Sequence, residues 1–296
     1  MEYRKKLIAI VGPTATGKTE LAVKLAKILG GEIISADSRL VYRDFNIGTA
    51  KPDKEEMQGI PHYMIDVVDP CEVYTAGKYK KEAGRLLENI SKPVIITGGT
   101  GFYIRSLLEG LDIPEIDPDV EFRKAMEKLD KQDLYKKLQE CDPVMALKLH
   151  YNDTFRIIRA LEVQHLIGKP MSEIQSMSEP KYEVLYVGLN AADREFIYNR
   201  INQRVIKMVE LGLVSECESL IEKYGRTPSL LGTLGYREIC EYLDGLCSLD
   251  EAIEKIQKNT RNFAKRQLTW FRANKEIHWF NIDEATQEEI ISSILQ

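Results

Sequence analysis

The chain has 296 residues, 44% of them hydrophobic and 29% charged, with a formal net charge of −5. This suits one large or two smaller globular domains, and no apolar run approaches the roughly 20 residues needed to cross a bilayer. The five cysteines are scattered, with no Cys-x-x-Cys pair. That argues against a disulfide framework or a zinc site and fits a reduced, cytoplasmic compartment.

The first residues, MEYRKKLIAIV, are basic and then apolar. The apolar part runs straight into a glycine-rich motif, so 6–11 reads as a buried first strand rather than a leader. Thr19–Leu29 reads as a helix with Leu21, Leu25, Ile28 and Leu29 on one face, ended by Gly30-Gly31. Glu32–Ala36, Lys92–Thr97 and Tyr182–Leu189 read as further strands. Strands alternating with helices indicate an α/β fold: a P-loop-type parallel sheet flanked by helices. From about Ile113 to Pro180 the strand signal disappears. Asp117-Pro118 and Asp142-Pro143 read as helix starts, and Asn152–Ile167 as a helix closed by Gly168. We therefore expect a core of 1–112 and 181–296 interrupted by a helical insertion domain, 113–180. Asp193 is expected to cap a helix with Ile197, Ile201, Val205 and Met208 on one face. Ser248-x-x-Glu251 is a capping box opening a long helix.

The sequence Gly12-Pro13-Thr14-Ala15-Thr16-Gly17-Lys18-Thr19 matches the whole P-loop pattern and stands between a strand and a helix. Such glycines let backbone N–H groups wrap around phosphate oxygens at a helix N-terminus; Lys18 adds a charge and the Thr19 hydroxyl can ligate Mg²⁺. In parallel sheets, ligands sit beyond the carboxyl ends of the strands. Gly12–Thr19, Asp37 and Gly98-Gly99-Thr100-Gly101 all lie at such ends and should converge on one crevice. A nucleotidase would also need an Asp after a later strand to help hold Mg²⁺, but the Val94–Thr97 strand ends in Gly-Gly-Thr. Asp37 can serve as a turn residue, a metal partner or a general base.

Charge is unevenly placed. Between Lys255 and Lys275 there are seven Lys or Arg and no Asp or Glu. Lys255, Lys258, Arg261, Lys265, Arg266 and Arg272 lie opposite an apolar face of Ile253, Ile256, Phe263 and Leu268. Such a strip suits a phosphate backbone even within an acidic protein. Trp270 and Phe271 beside it are either core residues or stacking platforms for bases. Arg200, Arg204 and Lys207 form a second basic stripe, which alone reads as a solvated face.

The chain resembles the tRNA dimethylallyltransferases, also called tRNA isopentenyltransferases, nearly end to end. The matching segments are GPTATGKT at 12–19, ISADSRLVYR at 34–43, IGTAKP at 47–52, GIPHYMIDVVDP at 59–70, ITGGTGFYI at 96–104, NDTFRIIRALEV at 152–163, LGYRE at 234–238 and AKRQLTWFR at 264–272. The resemblance implies transfer of a dimethylallyl group from dimethylallyl diphosphate to N6 of the adenosine just 3′ of a tRNA anticodon. It implies that the P-loop holds the diphosphate of this donor, with Mg²⁺ as cofactor and no consumption of ATP. Position by position, Asp37 is implied as the base, Thr19 as the Mg²⁺ contact, and Lys18, Thr100 and Arg204 as stabilisers of the leaving diphosphate. Contacts with tRNA are implied for Asp37, Ser38, Arg39, Leu40 and Thr100. They are also implied for Arg123, for Arg156 and Arg159, for Tyr236 and Arg237, and for Lys265, Arg266 and Arg272. The partners are then the anticodon stem-loop and dimethylallyl diphosphate, with no membrane and a monomeric protein. Three rivals remain: a P-loop kinase of a small metabolite, a prenyltransferase acting on free AMP, and a nucleotide-dependent tRNA-binding switch.

Overall fold

The computed structural model describes residues 5–296. Among them, six parallel strands form one sheet: β1 (Lys5–Val11), β2 (Glu32–Ser35), β3 (His62–Tyr63), β4 (Val94–Gly98), β5 (Tyr182–Asn190) and β6 (His278–Asn281). Their spatial order is β3-β2-β4-β1-β5-β6. The helices of eight or more residues are α1 (Lys18–Leu29), α2 (Ala76–Asn89), α3 (Gly101–Leu108), α4 (Val120–Glu127), α5 (Lys131–Cys141), α6 (Thr154–Ile167), α7 (Arg194–Glu210), α8 (Leu213–Tyr224), α9 (Tyr236–Leu243), α10 (Leu249–Phe271) and α11 (Gln287–Leu295).

The four longest runs of buried Ile, Leu and Val in the strands predicted from sequence become the sheet centre, where strands are covered on both faces. β1 lies between β4 and β5, with Ile10 opposite both Thr97 and Val187. One face packs Leu21, Ala22, Leu25 and Ala26 of α1, together with Ile290 and Ile291 of α11, against Ile10, Ile33, Ile95 and Leu189. The buried arc of α1 is centred on Ala22 and Ala26. Ile28, expected on that face, therefore falls on its flank and is 57% exposed. Gly30 ends α1 in the left-handed conformation at φ 63°, as its position suggested.

Other local expectations shift for identifiable reasons. Asp117-Pro118 does not open a helix. Asp119 caps α4 instead, accepting from the Phe122 N–H, while Asp117 pairs with Lys78 at 2.9 Å. The edge strands β3 and β6, two and four residues long, carry too little alternation to be read locally. On α10 the buried positions are Ala252, Ile256, Ala264, Gln267 and Phe271. Phe263 is instead 37% exposed, with the Arg266 guanidinium 5.8 Å from its ring centroid. The caps at Asp142, Asp193 and Ser248 form as expected.

The chain divides into two compact units. One comprises Met1–Tyr74, Glu82–Ile104 and Lys181–Gln296; the other comprises Thr75–Lys81 and Arg105–Pro180. The second unit is helical. Leu134 and Leu138 of α5 pack on Ile157, Ile158 and Leu161 of α6. Beside them Glu162, with no exposed side-chain surface, accepts from Arg123 (2.7 Å to each carboxylate oxygen) and from Arg159 (2.5 Å). Burial pushes the Glu162 carboxyl up, but the two guanidinium groups outweigh it and hold the group below its ordinary value. A depressed carboxyl contributes stability above its unfolded pKa and loses it as pH falls through the folded one. Glu162→Ala should thus cost about 3 kcal/mol near neutrality, the low end for a broken buried pair because both arginines keep some solvent. Urea unfolding at several pH values checks this. The gap from the native protein should narrow in acid, and equal midpoints at pH 7 would dismiss the triad as a stabilising element.

Candidate active site

The loop between β1 and α1 owes its shape to three residues at positive φ: Gly12 (137°), Ala15 (65°) and Gly17 (84°). At Gly12 a side chain is doubly excluded, because a Cβ would also stand 2.3 Å from the Leu189 carbonyl oxygen. The Thr16 hydroxyl donates to the Pro13 carbonyl at 2.9 Å and fixes the turn from within. No side chain caps α1, so its first N–H groups are directed at the loop. These groups and the helix dipole make an anion seat.

Cationic groups surround that seat. Lys18 Nζ donates to the Pro13 carbonyl at 2.6 Å. Arg200 Nε donates to the Ala15 carbonyl at 2.8 Å, and an Arg204 guanidinium N–H reaches Thr14 Oγ1 at 3.4 Å. Burial and then the neighbouring Arg204 bring the Lys18 ammonium down to about 7, with Asp37 opposing the shift. Burial also lowers Arg204, again opposed by Asp37. A phosphate group bound here would add to the partial compensation that Asp37 gives these cations. Below pH 7 Lys18 is already charged; above it, binding must draw in a proton. At pH 7 the uptake should be about half a proton, and affinity should fall up to about tenfold per pH unit above that. Calorimetry in buffers of different ionisation enthalpy measures the uptake. Binding with none beyond the ligand's own would contradict this electrostatic picture.

Asp37 stands two residues beyond β2. Its Oδ1 accepts from the Arg39 N–H at 2.8 Å. The neighbouring turn after β4 is stitched to it. The Thr100 N–H donates to the Ala36 carbonyl at 3.1 Å, and Thr100 Oγ1 accepts from the Ser38 N–H at 2.9 Å. Gly98 permits this closeness, since a Cβ there would lie 2.2 Å from the Ala36 oxygen. Gln267 of α10 was not anticipated as a site residue. It accepts from the Thr14 N–H and donates to the Gly99 carbonyl, both at 2.9 Å. The local signal was one amide within the basic and apolar run 263–268. The three strand-end turns therefore meet, bringing Gly12–Thr19, Asp37, Thr100 and Arg204 together.

The IPP transferase family model matches residues 40–274. A tRNA dimethylallyltransferase of Nostoc punctiforme is 50% identical, over 93% of this chain and 91% of its own. One from Thermoanaerobacter sp. is 46% identical, over 98% and 96%. The chain belongs to the IPP transferase family. Among solved structures, the tRNA isopentenylpyrophosphate transferase of Bacillus halodurans has a TM-score of 0.72 at 39% identity, covering 99% of this chain and 96% of that one. A eukaryotic dimethylallyltransferase acting on tRNA has a TM-score of 0.83 at 30% identity, covering 97% and 78%.

In this IPP transferase the expected RNA contacts fall into two groups. Lys265 and Arg266 on α10 and Arg272 at its C-cap are exposed, as are Arg237 and Arg156. Ser38, Arg39 and Leu40 are half-buried, with an Arg39 guanidinium N–H donating to the Gly232 carbonyl at 3.0 Å. Tyr236 corrects the expectation. It is fully buried, its ring edge-on to Phe45, and its hydroxyl donates to Glu216 at 2.6 Å. The same carboxylate accepts from the Ile47 and Gly48 N–H groups. Tyr236 thus anchors the 47–49 turn and offers no side-chain surface to RNA. Arg123 and Arg159 are also reassigned, since both guanidinium groups are committed to buried Glu162. The aromatic pair divides: Phe271 is core, whereas Trp270 is 37% exposed.

Proposed function

We propose that this chain transfers the dimethylallyl group of dimethylallyl diphosphate to N6 of the adenosine 3′ to the anticodon in tRNA, releasing diphosphate. The observation that carries the reading is the meeting of a cationic phosphate seat, formed by Lys18 and Arg204 at the P-loop, with Asp37. Lys18 and Arg204 both feel the Asp37 carboxylate, so phosphate and base sites are close neighbours. In the reaction, the bond from the allylic carbon to the bridging oxygen breaks as the carbon–N6 bond forms. Charge builds on the leaving diphosphate, where Lys18, Arg204 and the loop N–H groups stabilise it. Asp37 accepts the proton lost from N6. The adenine must leave its stack to reach this carboxylate.

The loop also suits Mg²⁺. Among the described residues no cluster of three His, Cys, Asp or Glu could hold an ion unaided. Mg²⁺ instead keeps waters and shares its shell between phosphates and one or two protein oxygens. Thr19 offers a hydroxyl at the start of α1. Ser35 Oγ and Thr97 Oγ1 are buried without a hydrogen-bond partner. They pair across β2 and β4 and share the sheet face of Ile10, which α1 covers. Bound there, the ion would neutralise charge on the departing diphosphate.

The exposed cations of α10, with Arg237, offer the phosphate contacts that an anticodon stem-loop requires. The helical 113–180 segment is read as an insertion in the P-loop core, and the protein as a cytoplasmic monomer. No helix among the described residues is long and apolar enough to cross a membrane. Incubation with dimethylallyl diphosphate and either unmodified tRNA or AMP, followed by nucleoside mass analysis, tests the reading. A prenylated adenosine 3′ to the anticodon supports it. Prenylated AMP alone, a phosphorylated product or no product overturns it.

A further inference from the structure

α10 faces two ways at one point of its length. Lys265 and Arg266 are exposed, and the next residue, Gln267, is only 6% exposed. Both halves of its amide are in use: Oε1 accepts from the Thr14 N–H of the phosphate loop, and Nε2 donates to the Gly99 carbonyl of the turn that carries Thr100. One turn further along, Trp270 lies edge-on to Phe102, with ring centroids 6.3 Å apart. The fit is tight. A Cβ on Gly99 would lie 2.2 Å from Gln267 Nε2, and one on Gly101 would lie 2.0 Å from the Trp270 ring. Gly99 and Gly101 are thus spaced to receive Gln267 and Trp270, which share one helix face at i and i+3. A single turn of α10 therefore contacts both loops that form the proposed diphosphate site, and its outer side carries the basic strip.

The geometry points to Gln267 as a positioning residue that couples RNA bound on the outer face of α10 to diphosphate bound in the P-loop. The inference rests on the proposed reading of the strip as an RNA surface. RNA that fixes this turn of α10 also fixes, through one amide, the backbone of Thr14 and the Gly99 turn. The ordering required of the phosphate loop is then already met when diphosphate arrives. Such coupling is reciprocal: each ligand strengthens the other by the same factor. The amide offers its donor and its acceptor side by side on one carbon. Gln267→Met keeps the volume and loses both bonds. Gln267→Glu keeps the acceptor for Thr14, loses the donor to Gly99 and adds a negative charge.

The test measures binding of inorganic diphosphate with Mg²⁺ by calorimetry, with and without a saturating unmodified anticodon stem-loop. RNA should tighten diphosphate binding to the native protein about tenfold, within the usual range for coupled sites. In Gln267→Met this factor should fall to about one, while RNA affinity without diphosphate stays within twofold of native. Gly99→Ala, which displaces the same amide from the opposite side, should give the same loss of coupling and guards against a folding artefact in the first variant. Coupling that survives in both variants, or is absent in the native protein although RNA binds, overturns the inference and leaves the RNA surface standing. Native protein that binds no RNA overturns the reading of the strip and the inference with it.

Discussion

Replacing Asp37 with Asn should slow the chemical step by about 100- to 10,000-fold, the range for removing a positioned general base. The substitution is chosen for what it preserves. Asp37 Oδ1 closes a turn by accepting from the Arg39 N–H, and Asn keeps an acceptor at that atom. Asp37→Ala removes both the base and the turn, so an Asn variant as slow as the Ala variant locates the loss in proton acceptance. Asp37 also supports the charge on Lys18 and Arg204. The Asn variant should therefore carry a lower Lys18 pKa and take up more protons on binding diphosphate at pH 7. Single-turnover rates at saturating donor separate the two effects. A native rate in Asp37→Asn would remove Asp37 from the mechanism.

Arg204→Gln should lower the single-turnover rate by about 100- to 1,000-fold, comparable to losing one donor aimed at developing charge. Burial works against the Arg204 charge, and the protein sustains it with Asp37 nearby. A guanidinium held at such cost, at 3.4 Å from Thr14 Oγ1, is proposed to be preorganised for charge that grows during the reaction. The alternative is that Arg204 binds donor and transition state equally. Then the donor dissociation constant would rise while the saturated rate stayed native. The saturated rate is therefore the deciding quantity.

The parts of this molecule legible in sequence are those encoded over short, contiguous stretches. The P-loop, the caps at Asp142, Asp193 and Ser248, and the four central strands all belong to this kind. What was not legible depends on partners far along the chain. Gln267 gains its meaning from Thr14 and Gly99, 253 and 168 residues away. Tyr236, within a segment that looked RNA-facing, is claimed by Glu216 and Phe45. Arg123 and Arg159 were expected at RNA by resemblance, and nothing local marks their partner Glu162 as buried. Ile28 was misplaced on α1 because alternation of large residues says nothing of how closely Ala22 and Ala26 let the helix approach the sheet. The Arg200 and Arg204 stripe resembled a solvated face, yet both side chains bond to the phosphate loop.

The tie between Thr14 and Gln267 also bears on how the protein is made. The motif at 12–19 leaves the ribosome well before α10, but Gly12 packs against Leu189 and Thr14 bonds to Gln267. At about 5–20 residues per second, 253 residues correspond to roughly 10–50 s of synthesis. Until residue 190 has been made β1 lacks β5, and throughout the interval the phosphate loop lacks its anchor. A nascent or truncated chain ending before α10 carries the whole signature sequence without the lattice of contacts that shapes it. Phosphate binding by the loop is thus expected only once α10 has been made and has docked.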